Sequence, residues 1–248
     1  MRLKPLGSPL EERSCMDMKL NVIILAGDQK ALDRKTPDGK LSYRDAAVTA
    51  SLAVTNATRV VAVSNRSLGS LAGGKIVGIS GGKSAAESLE KGISQCEKPC
   101  WLLIVAADLP HINGDALKQF ADGAMALAGS GEITAFIGYS SLEQCAVYNH
   151  TSKRPIILDG KPTKLASVFL VHTSVLEANK GAIGKLLKQR KSPFVLGIKL
   201  LGIKWALKYL TKRNVPSGEL QAALNKRNGF KVAGLNVDAR LTVDDDTK

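Results

Sequence analysis

A chain of 248 residues, 44% hydrophobic and 23% charged, has the size and composition of one large globular domain or two small ones. Lysine and arginine (35) outnumber aspartate and glutamate (22), and the net charge of +13 selects anionic partners: nucleotides, nucleic acid or an acidic membrane surface. Aromatic residues make up 4% and are not interleaved with the basic ones, and no zinc-finger or RNP-like signature is present, so nucleic acid is not an expected partner.

Residues 1–17 carry charges, Pro5 and Pro9, without the apolar stretch of a signal peptide, and read as an N-terminal extension to a single domain over 18–248. No apolar run is long enough to span a bilayer. Cys15, Cys96, Cys100 and Cys145 form no Cys-x-x-Cys pair, which fits reduced thiols in a cytoplasmic protein. His111, His150 and His172 do not cluster with them in sequence, which argues against a Cys/His metal centre.

The first predicted strand, 20–26, is apolar and runs straight into Gly27-Asp28. Residues 44–54 space Ala and Val as a helix does. Residues 59–63 and 75–79 read as short strands, and Gly81-Gly82 opens a helix reaching about Ser94. At 101–107, seven apolar residues opened by Trp101 end abruptly at Asp108, with Pro110 just beyond. Such a run reads as a strand buried on both faces, the kind found in parallel sheets. A helix over 114–127 follows, with Asn113 as its N-cap. This alternation predicts an α/β fold with a mostly parallel, mixed central sheet and helices on both faces. After Ile133, strands are expected at 133–138, 145–149 and 167–172, with a tight turn at Asp159-Gly160-Lys161. Helices are expected at 173–190, 193–211 and 217–226. A last strand at 232–235 precedes the acidic end Asp244-Asp245-Asp246.

The segment 193–211 starts well, with Ser192 ahead of Pro193. Lys199, Lys204 and Lys208 leave a wide apolar face that includes Trp205. This is either a core helix with a solvated lysine edge or a helix making weak contact with an anionic membrane.

Three places could carry chemistry. Leu25-Ala26-Gly27-Asp28 turns at the end of the first strand, where backbone N–H groups can approach a phosphate. A Gly-x-Gly-x-x-Gly dinucleotide signature is absent there. In Gly82-Lys83-Ser84-Ala85-Ala86-Glu87-Ser88, Ser84 and Glu87 make a capping box, and Ser88 lies one turn on from Ser84. That segment is a capped helix start, and its two glycines also suit an anion or a nucleotide base lying against exposed N–H groups. Asp108 is the first charge past a buried strand, where ligands of open α/β sheets bind. It either caps the turn or ligates Mg²⁺, with a second carboxylate available from 244–246.

In order, Val22-Ile23-Ile24-Leu25-Ala26-Gly27, Gly82-x-Ser84-x-x-x-Ser88-Leu89, Val105-Ala106-Ala107-Asp108-Leu109-Pro110 and Asp244-Asp245-Asp246-Thr247 resemble the landmarks of the molybdenum-cofactor guanylyltransferase-like (MobA-like) nucleotidyltransferases. The resemblance implies the GT-A, nucleotide-diphospho-sugar transferase type of fold. It implies transfer of a nucleoside monophosphate from a nucleoside triphosphate to a small phosphorylated acceptor, with release of pyrophosphate. It further implies Mg²⁺ held by Asp108 and Asp244, backbone contacts to the nucleotide from Leu25, Ala26, Gly27 and Asp28, and base or ribose contacts near Gly82, Ser84 and Ser88. The family's first loop continues with glycine, arginine and a later Pro-Lys pair, whereas this chain has Asp28-Gln29-Lys30-Ala31-Leu32-Asp33-Arg34. Arg34, Lys35 and Lys40 are the candidates for the missing cations, and Lys40 joins Asp108 as an expected catalytic residue. Asp28 places a negative charge beside the triphosphate, which keeps two alternatives open: a glycosyltransferase using a nucleotide-sugar, and a non-catalytic nucleotide-binding protein.

Overall fold

The computed structural model describes residues 19–26, 33–65, 74–130, 133–150, 155–179, 214–228 and 230–245. The expected extension 1–17, Gly27 and Asp28, the expected helix 193–211 and most of 173–190 lie outside them.

The apolar run β1 (Leu20–Ala26) occupies the middle of the sheet, between β2 (Ala57–Ser64) and β4 (Trp101–Ala106), both parallel to it. Helix α1 (Tyr43–Leu52) precedes β2; β3 (Ile76–Ile79) and α2 (Ala85–Ser94) follow it. After β4 come α3 (Gly114–Ala128), β5 (Ala135–Ser141) and α4 (Leu142–Ala146). Strands β6 (Ile156–Leu158) and β7 (Lys161–His172) form a hairpin; α5 (Thr173–Ala178), α6 (Ser217–Asn228) and β8 (Val232–Asn236) complete the described elements, with a 3-10 turn at Ala239–Leu241.

The sheet order is β3-β2-β1-β4-β7-β5-β8, with β6 paired to β7. Strand β7 alone among the described strands runs against the others: β4, β5 and β6 pair with it antiparallel, while β5 and β8 are parallel. This is the expected mixed, mostly parallel sheet.

Burial on both faces explains the unbroken apolar runs. Val22 and Ile24 of β1 join Leu103 and Val105 of β4 against α1 and α3, through Ala47, Leu117 and Phe120. Ile23, between them, points the other way with Val61, Val63 and Leu102, under Leu89 of α2 and Val175 and Leu176 of α5. Among the described residues, no helix is long and apolar enough to cross a membrane.

Two expectations need correction. Residues 145–149 are not a strand: Leu142–Ala146 is a short helix and the chain then turns. Ser141 and Gln144 form a complete capping box, so the start of a helix is satisfied locally before any sheet pairing can compete. Strand β7 starts at Lys161 rather than Ser167. Asp159 and Gly160, at φ 49° and 77°, make the paired left-handed turn that favours a two-residue hairpin, and Leu158 pairs with Lys161 directly across it.

Candidate active site

Strand β4 delivers Asp108. Leu25 pairs with Ala106, and the Ala107 N–H donates to the Leu25 carbonyl at 3.1 Å, so pairing with β1 persists to the residue before Asp108. Leu109, fully buried, anchors the far side of the turn. Asp108 is half-buried, with its Oδ1 atom shielded from solvent, at the carboxyl end of the parallel half of the sheet.

The C-terminal segment is brought to the same place. Ser140 Oγ donates to the Val237 carbonyl at 2.7 Å; Thr242 is fully buried with its hydroxyl 3.3 Å from Cys145 Sγ; Leu241 and Val243 are buried. Asp238 receives the Arg240 N–H at 2.9 Å and the Arg240 guanidinium at 3.0 and 2.6 Å, which starts the 3-10 turn. These contacts aim the chain so that the Asp245 N–H donates to the Asp108 carbonyl at 3.0 Å. Two stretches far apart in sequence, one carrying Asp108 and the other Asp244 and Asp245, are thus joined through their backbones.

Two cations hold the C-terminal pair. The Asp245 carboxylate, its side chain 9% exposed, takes the Arg34 guanidinium. Tyr43 hydrogen-bonds the same carboxylate, and its hydroxyl pKa is raised, first by burial and then by the Asp245 charge. The Tyr43 N–H in turn donates to the Arg34 carbonyl at 3.0 Å. Asp244 is ion-paired with Lys164 of β7, and Lys164 Nζ lies 2.7 Å from His150 Nε2. Three residues after Asp108, the His111 ring packs on Tyr148 with centroids 4.6 Å apart, and burial lowers the His111 pKa.

The glycine segment is tightly tied. Ser84 caps α2 by accepting the Glu87 N–H at 3.2 Å; Ser88 Oγ accepts the Gly82 N–H at 2.9 Å; Glu87 Oε2 accepts the Lys83 N–H at 2.7 Å; Lys91 Nζ donates to the Gly81 carbonyl at 3.0 Å. A Cβ on Gly82 would stand 2.5 Å from Glu87 Cβ, so the backbone can lie this close to the helix only without a side chain. Glu87, on the Lys83 N–H, also pairs with Lys91 at 3.7 Å, so the charges at this helix start balance among themselves. It remains open to a neutral group such as a base.

Of the expected site residues, Asp108 and Asp244 are drawn toward one end of the sheet, with Leu25 and Ala26 in the strand beside Asp108. Gly82, Ser84 and Ser88 sit past β3, two strands over from β1. Lys40 sits on the turn 36–41 with its side chain 79% exposed and 3.8 Å from Asp38; Arg34 and Lys164, not Lys40, are the cations bound to the acidic end. Sequence reading missed Asp245, Tyr43, Lys164 and His150 as members of the site. Asp245 sat inside a recognised acidic run, but nothing in the sequence distinguished it from Asp244. Among the described residues, no group of three His, Cys, Asp or Glu side chains is arranged to hold a metal by itself. A donor set of one or two carboxylates suits a hard ion that takes its remaining ligands from phosphate and water.

No protein-family profile and no curated protein matches the sequence. Among solved structures, a hypothetical transferase from Thermus thermophilus superposes with a TM-score of 0.73 at 21% identity, covering 93% of this chain and 98% of its own. The 4-diphosphocytidyl-2C-methyl-D-erythritol synthase of Anaerococcus prevotii superposes at 0.55 with 12% identity, over 95% of this chain and 94% of its own. A 2-C-methyl-D-erythritol 4-phosphate cytidylyltransferase from Francisella tularensis does so at 0.53 with 15% identity, over 92% and 94%. The shared architecture is the nucleotide-diphospho-sugar transferase-like, GT-A type of fold.

Proposed function

We propose that the chain is a nucleotidyltransferase of the MobA-like kind, moving a nucleoside monophosphate from a nucleoside triphosphate to a small phosphorylated acceptor and releasing pyrophosphate. The observation that carries this reading is the hydrogen bond from the Asp245 N–H to the Asp108 carbonyl, which joins two acidic stretches at the carboxyl end of the parallel strands. Ligands of such sheets bind at that edge. The shared fold supports the same reading. The neighbour named as a 2-C-methyl-D-erythritol 4-phosphate cytidylyltransferase supports it in kind, as nucleotidyl transfer to a phosphorylated acceptor.

In this reading the triphosphate lies over the end of β1, beside Ala26. The base lies toward Gly82, where Ser84 and Ser88 fix the loop. Asp108 and Asp244 hold Mg²⁺, which when bound neutralises charge on the phosphates. Arg34 and Tyr43 keep Asp245, and through its backbone the Asp108 turn, in place. Lys40, on the same hairpin as Arg34, adds positive charge at the open side. The protein's contribution is positioning and charge compensation.

Thermal shift with nucleoside triphosphate and Mg²⁺ tests it. Ligand at 100 times its dissociation constant stabilises by about 2.7 kcal/mol. For a protein of this size that is a rise of roughly 5–10 °C. Asp108→Asn is nearly isosteric, so it should stay folded yet lose both the Mg²⁺-dependent shift and pyrophosphate release. A variant that binds and turns over nucleotide as the parent does would remove Asp108 from the site. Turnover of a nucleotide-sugar without pyrophosphate would replace the transfer with glycosyl transfer.

A further inference from the structure

The reading above leaves the acceptor's binding groups unassigned, and the opposite side of Asp108 from Gly82 offers a set. Strand β7 borders β4 there. The paired register of these two antiparallel strands runs from Trp101 with His172 to Val105 with Val168. Lys164 reaches the same edge of the sheet through Asp244, its ion-pair partner, whose neighbour Asp245 bonds the Asp108 carbonyl.

Lys164 is the more buried partner of its ion pair. Its side chain is 12% exposed against 21% for Asp244, and its ammonium also meets His150 Nε2 at 2.7 Å. An ammonium has no lone pair, so it donates and the ring nitrogen accepts. Withdrawing a lysine this far from water is costly unless its charge is met, and a paired hydrophobic replacement would often be no less stable. A cation kept beside a carboxylate cluster at a ligand-binding edge is better explained by an anion it receives there. On the Gly82 side, Glu87 accepts the Lys83 N–H and pairs with Lys91, so the groups at that helix start already partner one another.

We propose that Lys164 and His150 form the subsite for the phosphate group of the acceptor, with Asp244 holding the ammonium in place until that phosphate arrives. The subsite rests on the nucleotidyltransferase reading for its role, but phosphate binding can be measured without turnover. It predicts competition: Asp244 and the incoming phosphate share one ammonium.

Inorganic phosphate is the probe, titrated calorimetrically into the full chain with EDTA present, beside a separate titration of nucleoside triphosphate with Mg²⁺. Lys164→Gln should weaken phosphate at least tenfold without an equal loss of nucleotide affinity, while Lys164→Arg retains most phosphate binding. Asp244→Asn should tighten phosphate severalfold in EDTA, a gain that a purely structural ion pair would not produce. Should Lys164→Gln fail to fold, the Asp244→Asn and Lys164→Arg results decide. Phosphate affinity that is absent in the parent, unchanged in Lys164→Gln, or unimproved in Asp244→Asn overturns the subsite. An equal loss of nucleotide affinity in Lys164→Gln also overturns it, because Lys164 would then serve the triphosphate. A parent that binds phosphate through Lys164 yet no nucleotide refutes the transferase reading and leaves an anion site standing.

Discussion

Replacing Asp245 by asparagine removes one charge from the joint that holds the C-terminal segment on Asp108. The backbone bond to the Asp108 carbonyl survives, since it uses the main-chain N–H. What is lost is the ion pair with Arg34 and the stronger acceptor for Tyr43. The Asp245 side chain is 9% exposed, but Arg34 is 40% exposed and can turn to water. The cost therefore falls between that of an exposed pair, under about 1 kcal/mol, and that of orphaning a buried charge, about 3–5 kcal/mol. About 1–2 kcal/mol is expected, which lowers Tm by roughly 2–8 °C for a protein of this size. Thermal unfolding followed by circular dichroism reads it directly. Tyr43→Phe alone should cost less, and the double variant should cost less than the sum, because both act on one carboxylate. An unchanged Tm in Asp245→Asn, or strict additivity with Tyr43→Phe, would show that this carboxylate does not tie the segment down.

Two further outcomes concern the parts around the site. Ser84→Ala should cost about 1 kcal/mol as a lost N-cap; Ser88→Ala, which strands the part-buried Gly82 N–H, should cost about 1–3 kcal/mol. Urea denaturation giving the reverse order would mean that Ser88 does not hold the glycine loop. His172 is buried with Nδ1 2.7 Å from Ser174 Oγ, and burial lowers its pKa from the ordinary 6.5. The neutral ring is the folded form, so its contribution is fully present above about pH 6.5 and fades as pH falls through the lowered value. His111 is shifted the same way. Stability should decline from pH 7 to 5, less steeply in His172→Gln, and an identical slope in that variant would exclude His172 as a source.

Much of the frame was legible because it rests on local rules. An unbroken apolar run such as 101–106 can satisfy both its faces only inside a covered sheet, and Asn113, Ser84 and the turn at Asp159-Gly160 act within three or four residues of themselves. Position 108 followed for the same reason: the first charge after a doubly buried strand must emerge at its carboxyl end. The strand expected at 145–149 failed on an equally local signal, the Ser141–Gln144 capping box, which starts a helix just ahead of it. The partners of the carboxylates were of another kind. Lys164 reaches Asp244 and Arg34 reaches Asp245 only because an antiparallel strand and a hairpin end at the same edge of the sheet. A long-range ion pair leaves no periodicity, cap or turn in the chain. Lys40 was as plausible as Arg34 from spacing alone. The tertiary fold decided between them by placing one against a nearly buried carboxylate and the other in water.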